Sequence, residues 1–406
     1  MSFVHPAFFA VLTFVAVATC CILGKFRSRP LAVGKYQAID GLRGYLALFV
    51  FFHHAAISYF YITTGRWAVP PSNLSVHFGQ SSVSLFFMIT AFLFYGKVID
   101  SRSGRIDWLK FFVGRVFRLV PLYAVAVVLL LCITFVESHG VLHDTWRHLI
   151  KCVANWFLFT IFDEPFVNGL GMATFMAGVN WSLPYEWYFY FSLPLLALTQ
   201  RVKVQWGYLL ASVAIVYWAV QHGALAHHAM VFAGGIAAAW LVRWSAFTRL
   251  AKSQLGSTGV AACVAILVAF FDTAFGIPQL FLLVVAFALI AGGADFFGAF
   301  SAKTSHVLGE ISYSVYLLHG MLLFVVLKYV VGYEAVRAMS PAVYWMTIGV
   351  LVAPLLLLST AAYRFVESPA MRLTSGVAAR LRSRPSASFS DPLFESVKRD
   401  TGGPAF

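Results

Sequence analysis

Residues 39–56 read Ile-Asp-Gly-Leu-Arg-Gly-Tyr-Leu-Ala-Leu-Phe-Val-Phe-Phe-His-His-Ala-Ala, and they carry both the fold signal and the first chemical signal of the chain. The apolar run 45–62 is long enough to cross a bilayer as a helix, although it contains His53 and His54. Since eleven residues make about three helical turns, Arg43 and His54 share one face about 16.5 Å apart. Ionisable groups are costly at membrane depth, so this helix is predicted to serve a function.

The composition extends this interpretation to the whole chain. Of its 406 residues, 60% are apolar and only 11% are charged, whereas soluble domains carry roughly 25% charged residues. A soluble globule of this size would lack a polar surface, and a disordered chain would be far less apolar. The five cysteines lie in or beside apolar runs, which favours small buried side chains over disulfides or metal ligands.

Eleven apolar runs are long enough to cross about 30 Å of hydrocarbon. They are 7–24, 45–62, 81–97, 119–136, 184–200, 206–221, 228–242, 258–272, 278–292, 311–330 and 343–363. A twelfth run, 152–162, is too short to span and is expected to be interfacial or re-entrant. The chain is therefore predicted to be an all-α, polytopic membrane protein.

The distribution of basic residues predicts the topology. With eleven spans, 24 of the 29 Lys and Arg residues fall on one side of the membrane, which marks that side as cytoplasmic. The N-terminus is then outside and the C-terminus cytoplasmic, in the inner (plasma) membrane. The net charge of +13 reflects this asymmetry and gives no reason to expect a nucleic-acid partner. Run 7–24 precedes its basic residues, which favours an inserted helix over a cleaved signal peptide.

Six stretches, in this order, resemble the signatures of acyltransferase family 3, a family of integral-membrane O-acyltransferases. They are LRG with His54 eleven residues after Arg43, FFMITAFLF at 86–94, Arg115-x-x-Arg118-x-x-Pro121-x-Tyr123, WSLPYEWYFY at 181–190, GEISYSVYLLH at 309–319 and YRFVESP at 363–369. Thr90 and Ala91 depart mildly from the Ser and Gly that are common in the second stretch.

The resemblance implies a ten-helix acyltransferase core, to which this chain adds one N-terminal transmembrane helix of unassigned role. The expected organisation is the extra helix with a basic loop at 1–30, a membrane acyltransferase domain at 31–372 and a disordered cytoplasmic tail at 373–406. The family also implies an acyl-CoA co-substrate, with acetyl-CoA favoured. No permanently bound cofactor and no metal are expected.

Site residues are carried over from the matching motifs. His54 is expected to be the general base, since histidine titrates near neutrality. Arg43, Arg115 and Arg118 are expected to hold the CoA phosphates, because guanidinium forms bidentate contacts with phosphate, although Arg115 and Arg118 also suit positive-inside anchoring. Glu186 is assigned either to the acceptor site or to orienting His54, with capping of its helix as the structural alternative.

The remaining polar positions are interpreted more broadly. Trp181 and Ser182, beside Glu186, are assigned to the substrate site. His319 is placed there too, and packing and a polar relay remain equally open. Arg364 and Glu367 are expected to form a structural ion pair with the loops. His139, His143 and His148 have spacings that match no metal-binding pattern.

The predicted activity is transfer of an acyl group from acyl-CoA to a hydroxyl of a cell-surface or exported carbohydrate, such as lipopolysaccharide or another polysaccharide. Direct transfer and an acyl-histidine intermediate both remain open. Some family members carry a fused extracytoplasmic domain, so hand-over to a separate periplasmic transferase is a second route. The main alternative is a transporter or flippase of an acyl group or lipid-linked sugar. A scaffold protein is a third.

Overall fold

The structure is a computed structural model that describes residues 3–26, 34–101, 104, 106–162, 166–172, 174–222 and 226–383. Most of these residues are helical. The α-helices are α1 (Pro6–Lys25), α2 (Gln37–Thr64), α3 (Asn73–Asp100), α4 (Trp108–Glu137), α5 (Trp146–Phe157), α6 (Ser182–Leu198), α7 (Trp206–Gln221), α8 (Ala226–Leu241), α9 (Ser245–Lys252), α10 (Gln254–Phe270), α11 (Ile277–Gly292), α12 (Lys303–Glu310), α13 (Ser312–Val325), α14 (Tyr333–Ala338), α15 (Pro341–Ala362) and α16 (Ser368–Ser383).

Three further kinds of backbone structure connect the helices. Strands β1 (Phe166–Val167) and β2 (Leu170–Gly171) form a small antiparallel hairpin. A 3₁₀ turn, Val179–Trp181, leads directly into α6. Two π-helical segments, Val326–Val331 and Tyr363–Glu367, extend α13 and join α15 to α16.

The apolar helices confirm the prediction of an all-α, polytopic membrane protein. Within the described residues, six helical segments are long and apolar enough to cross a membrane, or seven if α8 and α9, bent by 102°, form one broken span. All eleven predicted runs overlap helices, several of which have only 16 or 17 residues, so the number of spans stays a prediction. Large apolar side chains on the outer surface, such as Phe14 and Phe270, suit contact with lipid.

The short run at 152–162 behaves as an element that does not span. Helix α5 has 12 residues, so it measures about 18 Å and cannot cross 30 Å of hydrocarbon. Its apolar side chains lie on one face, with Cys152 and Trp156 buried. This arrangement is that of a helix lying along an interface.

The C-terminal region is more regular than its composition suggests. Disorder is expected from residue 373, but helix α16 extends to Ser383. The helix packs against α4 and buries Ala378 there, and Arg382 pairs with Asp107 at the start of α4. These tertiary contacts stabilise a segment whose sequence alone lacks a clear apolar period, and residues 384–406 lie outside the described residues.

Helix α2 lies at the centre and contacts α3, α12 and α13. Close packing on one side depends on two glycines. A Cβ atom at Gly41 would lie 1.9 Å from the carbonyl oxygen of Phe300, and one at Gly309 would lie 1.8 Å from that of Asp40. Only glycine allows such an approach between backbones, so these positions hold α2 against α12 and set where its polar residues lie.

The extra N-terminal helix packs directly onto this core. Helix α1 contacts α12 and α15 and buries Phe9, Leu12, Ala16 and Cys20. Just before the helix, the carbonyl oxygen of Phe3 accepts a hydrogen bond from Trp345 Nε1 at 2.6 Å. The helix is therefore an integral part of the bundle.

Candidate active site

A cavity of about 150 Å³ lies where α2, α3, α4, α6 and α13 meet. Its lining combines cations, a carboxylate, hydroxyl groups and aromatic rings. The polar lining residues are Arg43, Thr90, Arg115, Arg118, Ser182, Glu186, Tyr190, Ser312, Tyr313 and Tyr316. Five of the eight site residues predicted from the sequence therefore share one cavity, although they come from three different helices.

The three arginines in this cavity have different partners. Arg43 forms an ion pair with Asp40, one turn earlier in α2, at 2.6 Å. Arg118 pairs with Glu367 at 2.5 Å, across from α4 to the segment that follows α15. Arg115 has no carboxylate partner among the described residues, and its guanidinium lies 4.6 Å from the centroid of the Phe94 ring. Arg115 is thus the one of the three without an ion pair among the described residues, although it attracts the Glu186 carboxylate.

Glu367 does not lie where the sequence predicts. An ion pair with the loops is predicted for Arg364 and Glu367, but Glu367 is fully buried and also accepts a hydrogen bond from Ser314 of α13. The π-helical turn around Glu367 directs its carboxylate inward, toward Arg118. The pair therefore joins α4, α13 and the last span.

Glu186 lies in the cavity with Arg115 and Arg118, which attract its carboxylate. Tyr190, one turn further along α6, donates a hydrogen bond to Glu186 Oε1. His54 has a different hydrogen-bond partner, His319, so the suggestion that Glu186 orients His54 is not supported by the geometry. Its place in the cavity is compatible with the other expectation, a role in binding substrate.

His54 and His319 form a stacked pair deep in the bundle. Nδ1 of His54 lies 2.9 Å from Nε2 of His319, and the ring planes differ by 19°. His319 is completely buried and His54 is half-buried. His53 points elsewhere, because its Nδ1 donates to the carbonyl oxygen of Ser75 at 2.6 Å and its ring packs on Gly79.

The hydrogen-bond partners assign the tautomers of this pair. The carbonyl oxygen of Val315 can only accept, so Nδ1 of His319 donates to it, at 3.0 Å. A neutral His319 then has an unprotonated Nε2, which accepts a hydrogen bond from Nδ1–H of His54. A neutral His54 is left with its lone pair on Nε2. This is the arrangement a general base requires, with one ring nitrogen held and the other free to take a proton.

Tyr316 connects the histidine pair to the cavity. Its ring centroid lies 6.2 Å from that of His319, and its side chain lines the cavity. The Tyr316 hydroxyl forms a 2.7 Å hydrogen bond with Ser182 Oγ. This hydrogen bond holds Ser182, which precedes Tyr185 by three residues, at the cavity wall.

Trp181 lies apart from the other predicted site residues. The side chain is 40% exposed and does not belong to the cavity lining. Its ring contacts Phe87 and Tyr185 edge-on and lies 5.4 Å from that of His228. Any substrate contact through Trp181 would thus occur outside the cavity that Arg43, Arg115 and Arg118 line.

Several cavity residues are not singled out by sequence reasoning. Tyr313 and Tyr316 lie in the stretch 309–319, three residues apart, and Tyr316 precedes His319 by three, so a helical projection places them near one another. Tyr190 follows Glu186 by four residues, which is the spacing of a hydrogen-bonding pair on a helix. These spacings are the signal that could have identified them.

A second group of polar side chains lies at the start of α5. Atoms of Asp144, His148 and Cys152 that can ligate a metal all lie within 4.8 Å of one another. His148 also hydrogen-bonds Asp144, and Asp144 accepts the backbone N–H of Thr145 at 2.8 Å. This group is distinct from the cavity lining.

The fold and cavity together define a class of protein. This is a helical, multi-pass membrane protein in which ionisable groups from several helices line an internal cavity beside a histidine pair. In comparisons with protein families, the acyltransferase domain matches residues 36–364, about four fifths of the chain. The chain belongs to this family, acyltransferase family 3, and is a membrane acyltransferase. Comparisons with curated proteins and with solved structures find no match.

Proposed function

We propose that this acyltransferase moves an acyl group, with acetyl favoured, from acyl-CoA to a hydroxyl of a cell-surface or exported carbohydrate. One observation carries the proposal. The hydrogen bond between His54 and His319 leaves Nε2 of a neutral His54 unprotonated, and Tyr316 links this histidine pair to the cavity that contains the arginines. His54 is then the general base.

The chemical step follows from this arrangement. Nε2 of His54 takes the proton of the acceptor hydroxyl as its oxygen attacks the thioester carbonyl. The C–S bond breaks, the acyl group becomes an oxygen ester, and the CoA thiolate receives the proton from His54. General-base catalysis of this kind contributes roughly 10²–10⁴-fold, and a water-poor site strengthens the electrostatic interactions that orient the reactants.

The cavity residues suit different parts of the substrates. Arg115 can bind a phosphate of the donor, because it lines the cavity and forms no ion pair within the described structure, although Glu186 attracts it. Arg43 and Arg118 add positive potential that Asp40 and Glu367 partly balance. Ser182 and Glu186 supply polar groups for the hydroxyl acceptor. His319 acts through His54 and is a positioning residue.

The proposed orientation places the arginine end of the cavity in the cytoplasm, where acyl-CoA is available. Arg43 lies in the second turn of the central helix, near the end that the charge distribution assigns to the side with most basic residues. We accordingly propose the plasma (inner) membrane as the location, with the N-terminus outside and the C-terminus in the cytoplasm. The acceptor is then acylated either directly or through a separate periplasmic transferase.

The deciding experiment uses the purified protein in lipid nanodiscs with radiolabelled acetyl-CoA. Loss of the thioester coupled one-to-one to ester formation on an added glycan supports the proposal. Transfer at the wild-type rate by a folded His54→Ala variant would refute the assigned base. Movement of the label across the membrane of liposomes, without thioester cleavage, would instead support a flippase. An acyl-histidine trapped by quenching the reaction would show a two-step route in place of direct transfer.

A further inference from the structure

Asp144, His148 and Cys152 lie on one side of α5 and of the turn that precedes it. The three residues are spaced by four, so their side chains follow one another along a single helix face. Thr145 is the N-cap of α5, so Asp144 lies just before the helix, while His148 and Cys152 lie in its first and second turns. The helical period therefore brings a carboxylate, an imidazole and a thiol together.

The distances within this group are close to those between the ligands of one metal ion. Sγ of Cys152 lies 3.8 Å from both Nδ1 and Nε2 of His148, and Nδ1 of His148 donates a hydrogen bond to Asp144 Oδ2. A tetrahedral zinc ion, bound at about 2.3 Å to sulfur and about 2.0–2.1 Å to nitrogen, separates those two ligand atoms by about 3.6 Å. A zinc ion would therefore fit between the thiol and the imidazole, in place of the proton that His148 shares with Asp144.

Burial and ligand type both bear on which ion the group suits. Cys152 is only 8% exposed, whereas the side chains of His148 and Asp144 are 48% and 21% exposed. The thiol thus forms the inner end of the group, and the imidazole borders the outer surface, which leaves a route of entry and room for a water ligand. Sulfur and nitrogen ligands favour Zn²⁺, whereas Ca²⁺ and Mg²⁺ take oxygen ligands.

We propose that Asp144, His148 and Cys152 bind one Zn²⁺ ion, through a carboxylate oxygen, Nδ1 and the thiolate, with water in the fourth position. On binding, the thiol of Cys152 releases its proton to solvent, and the Nδ1 proton of neutral His148 moves to Nε2. None of the three residues lines the cavity that contains the arginines, so the ion has a structural role. The inference goes beyond the proposed function and does not depend on it, because metal binding can be measured without acyl transfer.

The surroundings of the group indicate what the ion stabilises. The backbone N–H of His143, in the turn before α5, donates to Asn168 Oδ1 of the β-hairpin at 2.8 Å. After the hairpin, the chain packs backbone to backbone on α13, because a Cβ atom at Gly320 would lie 2.4 Å from the carbonyl carbon of Met176. Gly320 directly follows His319. An ion that fixes the turn on α5 therefore stabilises a segment that reaches α13 beside the histidine pair.

The test uses Co²⁺ as a spectroscopic substitute for zinc. The purified full-length protein, without a polyhistidine tag, is treated with a chelator in nanodiscs and titrated with Co²⁺. We expect one Co²⁺ per chain, with a thiolate-to-cobalt charge-transfer band that added Zn²⁺ removes. Cys152→Ser should lose the band. Cys132→Ser is the matched control and should keep it, because Cys132 is an exposed cysteine of α4 outside the group.

A second variant, His148→Gln, decides the matter even where Cys152→Ser fails to fold, because the ring of His148 is half-exposed. Its affinity for Co²⁺ should fall by at least the roughly 10–100-fold that loss of a hydrogen-bond partner of a metal ligand costs. Zn²⁺ should raise the Tm of the wild-type and of Cys132→Ser, but not that of His148→Gln.

Two results would overturn the site. One is the absence of a thiolate band in the wild-type protein, or a band that depends on Cys132 instead of Cys152. The other is an equal rise in Tm with Zn²⁺ in the wild-type and in His148→Gln. Either result would reduce the group to a hydrogen-bonded cap of α5.

Discussion

Nδ1 of His54 lies 2.9 Å from Nε2 of His319, although the two residues are 265 positions apart in the chain. The pair forms because α2 and α13 pack directly against each other. His319 in turn is anchored by its own helix, through the carbonyl oxygen of Val315. The orientation and tautomer of His54 therefore depend on a residue of another helix, which links the packing of the bundle to the proposed chemistry.

The role of His319 can be tested with two substitutions that differ in one hydrogen bond. His319→Gln keeps a side-chain oxygen that can accept from His54, whereas His319→Phe keeps a ring and loses the acceptor. We expect His319→Phe to lower kcat roughly 10–100-fold, by analogy with hydrogen-bond partners that orient metal-binding histidines, and to change the pH–rate profile. His319→Gln should retain most activity, and the KM for the donor should stay unchanged in both. Equal rates in the two variants would contradict a positioning role.

Removal of the base itself should have a larger effect. We expect His54→Asn to lower the acyl-transfer rate roughly 10²–10⁴-fold, with little change in CoA affinity, as measured by single-turnover kinetics and calorimetry. His222→Asn is the control, because His222 is exposed at the end of α7 and hydrogen-bonds its own helix, at the carbonyl oxygen of Trp218. A comparable loss in both variants would indicate a general effect on the protein.

The pair of Arg118 and Glu367 should matter more for stability than for chemistry. Glu367→Gln leaves the Arg118 charge without its partner in a largely buried place, where breaking an ion pair costs roughly 3–5 kcal/mol. We expect a clear fall in the Tm of the detergent-solubilised protein. The double variant Arg118→Met with Glu367→Met should recover part of the lost Tm, since neither charge is then buried without its partner. Glu334→Gln breaks an exposed pair with Arg337 and should change stability by only about 0–1 kcal/mol.

Features within one helix are predictable from the sequence, because the helical period fixes them. Arg43 and His54 are expected to lie on one face of a span, and the structure places both on α2, with Arg43 in the cavity and His54 bonded to His319. The apolar runs likewise predict the helices, since length and composition decide them locally. The family motifs predict which polar residues gather, and five of them line the cavity.

Partners from different helices are not predictable in this way. A single sequence does not specify which helices pack together, so the bond between His319 and His54 and the pair of Glu367 and Arg118 emerge only from the tertiary structure. The sequence likewise does not show that the ring of Phe94 lies close to both Lys97 and Arg115. Helix α16 also depends on tertiary contacts with α4.

The contact between α16 and α4 should respond to pH through Asp107. Partial burial acts to raise the pKa of Asp107, but the Lys110 N–H, at 3.0 Å, and the Arg382 guanidinium outweigh it and lower the pKa overall. A carboxyl with a lowered pKa stabilises the fold fully above the unfolded pKa, about 3.9, and this stabilisation is lost as pH falls through the folded value. We expect docking of α16 to be constant from neutral pH to about 4 and weaker below.

The same contact can be tested at neutral pH. Asp107→Asn keeps a good helix cap but loses the charge that attracts Arg382. Trypsin should then cleave α16 faster than in the wild-type, as followed by mass spectrometry of the C-terminal fragments. Asp144→Asn, which alters a carboxylate that contacts the start of a different helix, should leave this rate unchanged. Equal cleavage in the wild-type and Asp107→Asn would show that this ion pair does not hold α16.

The position of α2 should depend on Gly41 more than on an ordinary helical glycine. The alanine Cβ in Gly41→Ala would meet the Phe300 carbonyl at 1.9 Å, so the backbones must separate. Since α2 carries Arg43 and His54, we expect both a lower Tm and a lower acyl-transfer rate. Gly207→Ala is the matched control, because a Cβ there meets nothing within 4 Å, and alanine favours a helix over glycine by roughly 0.5–1 kcal/mol. Its Tm should stay the same or rise slightly. Unchanged Tm and rate in Gly41→Ala would show that α2 can move away from Phe300 without disturbing the site.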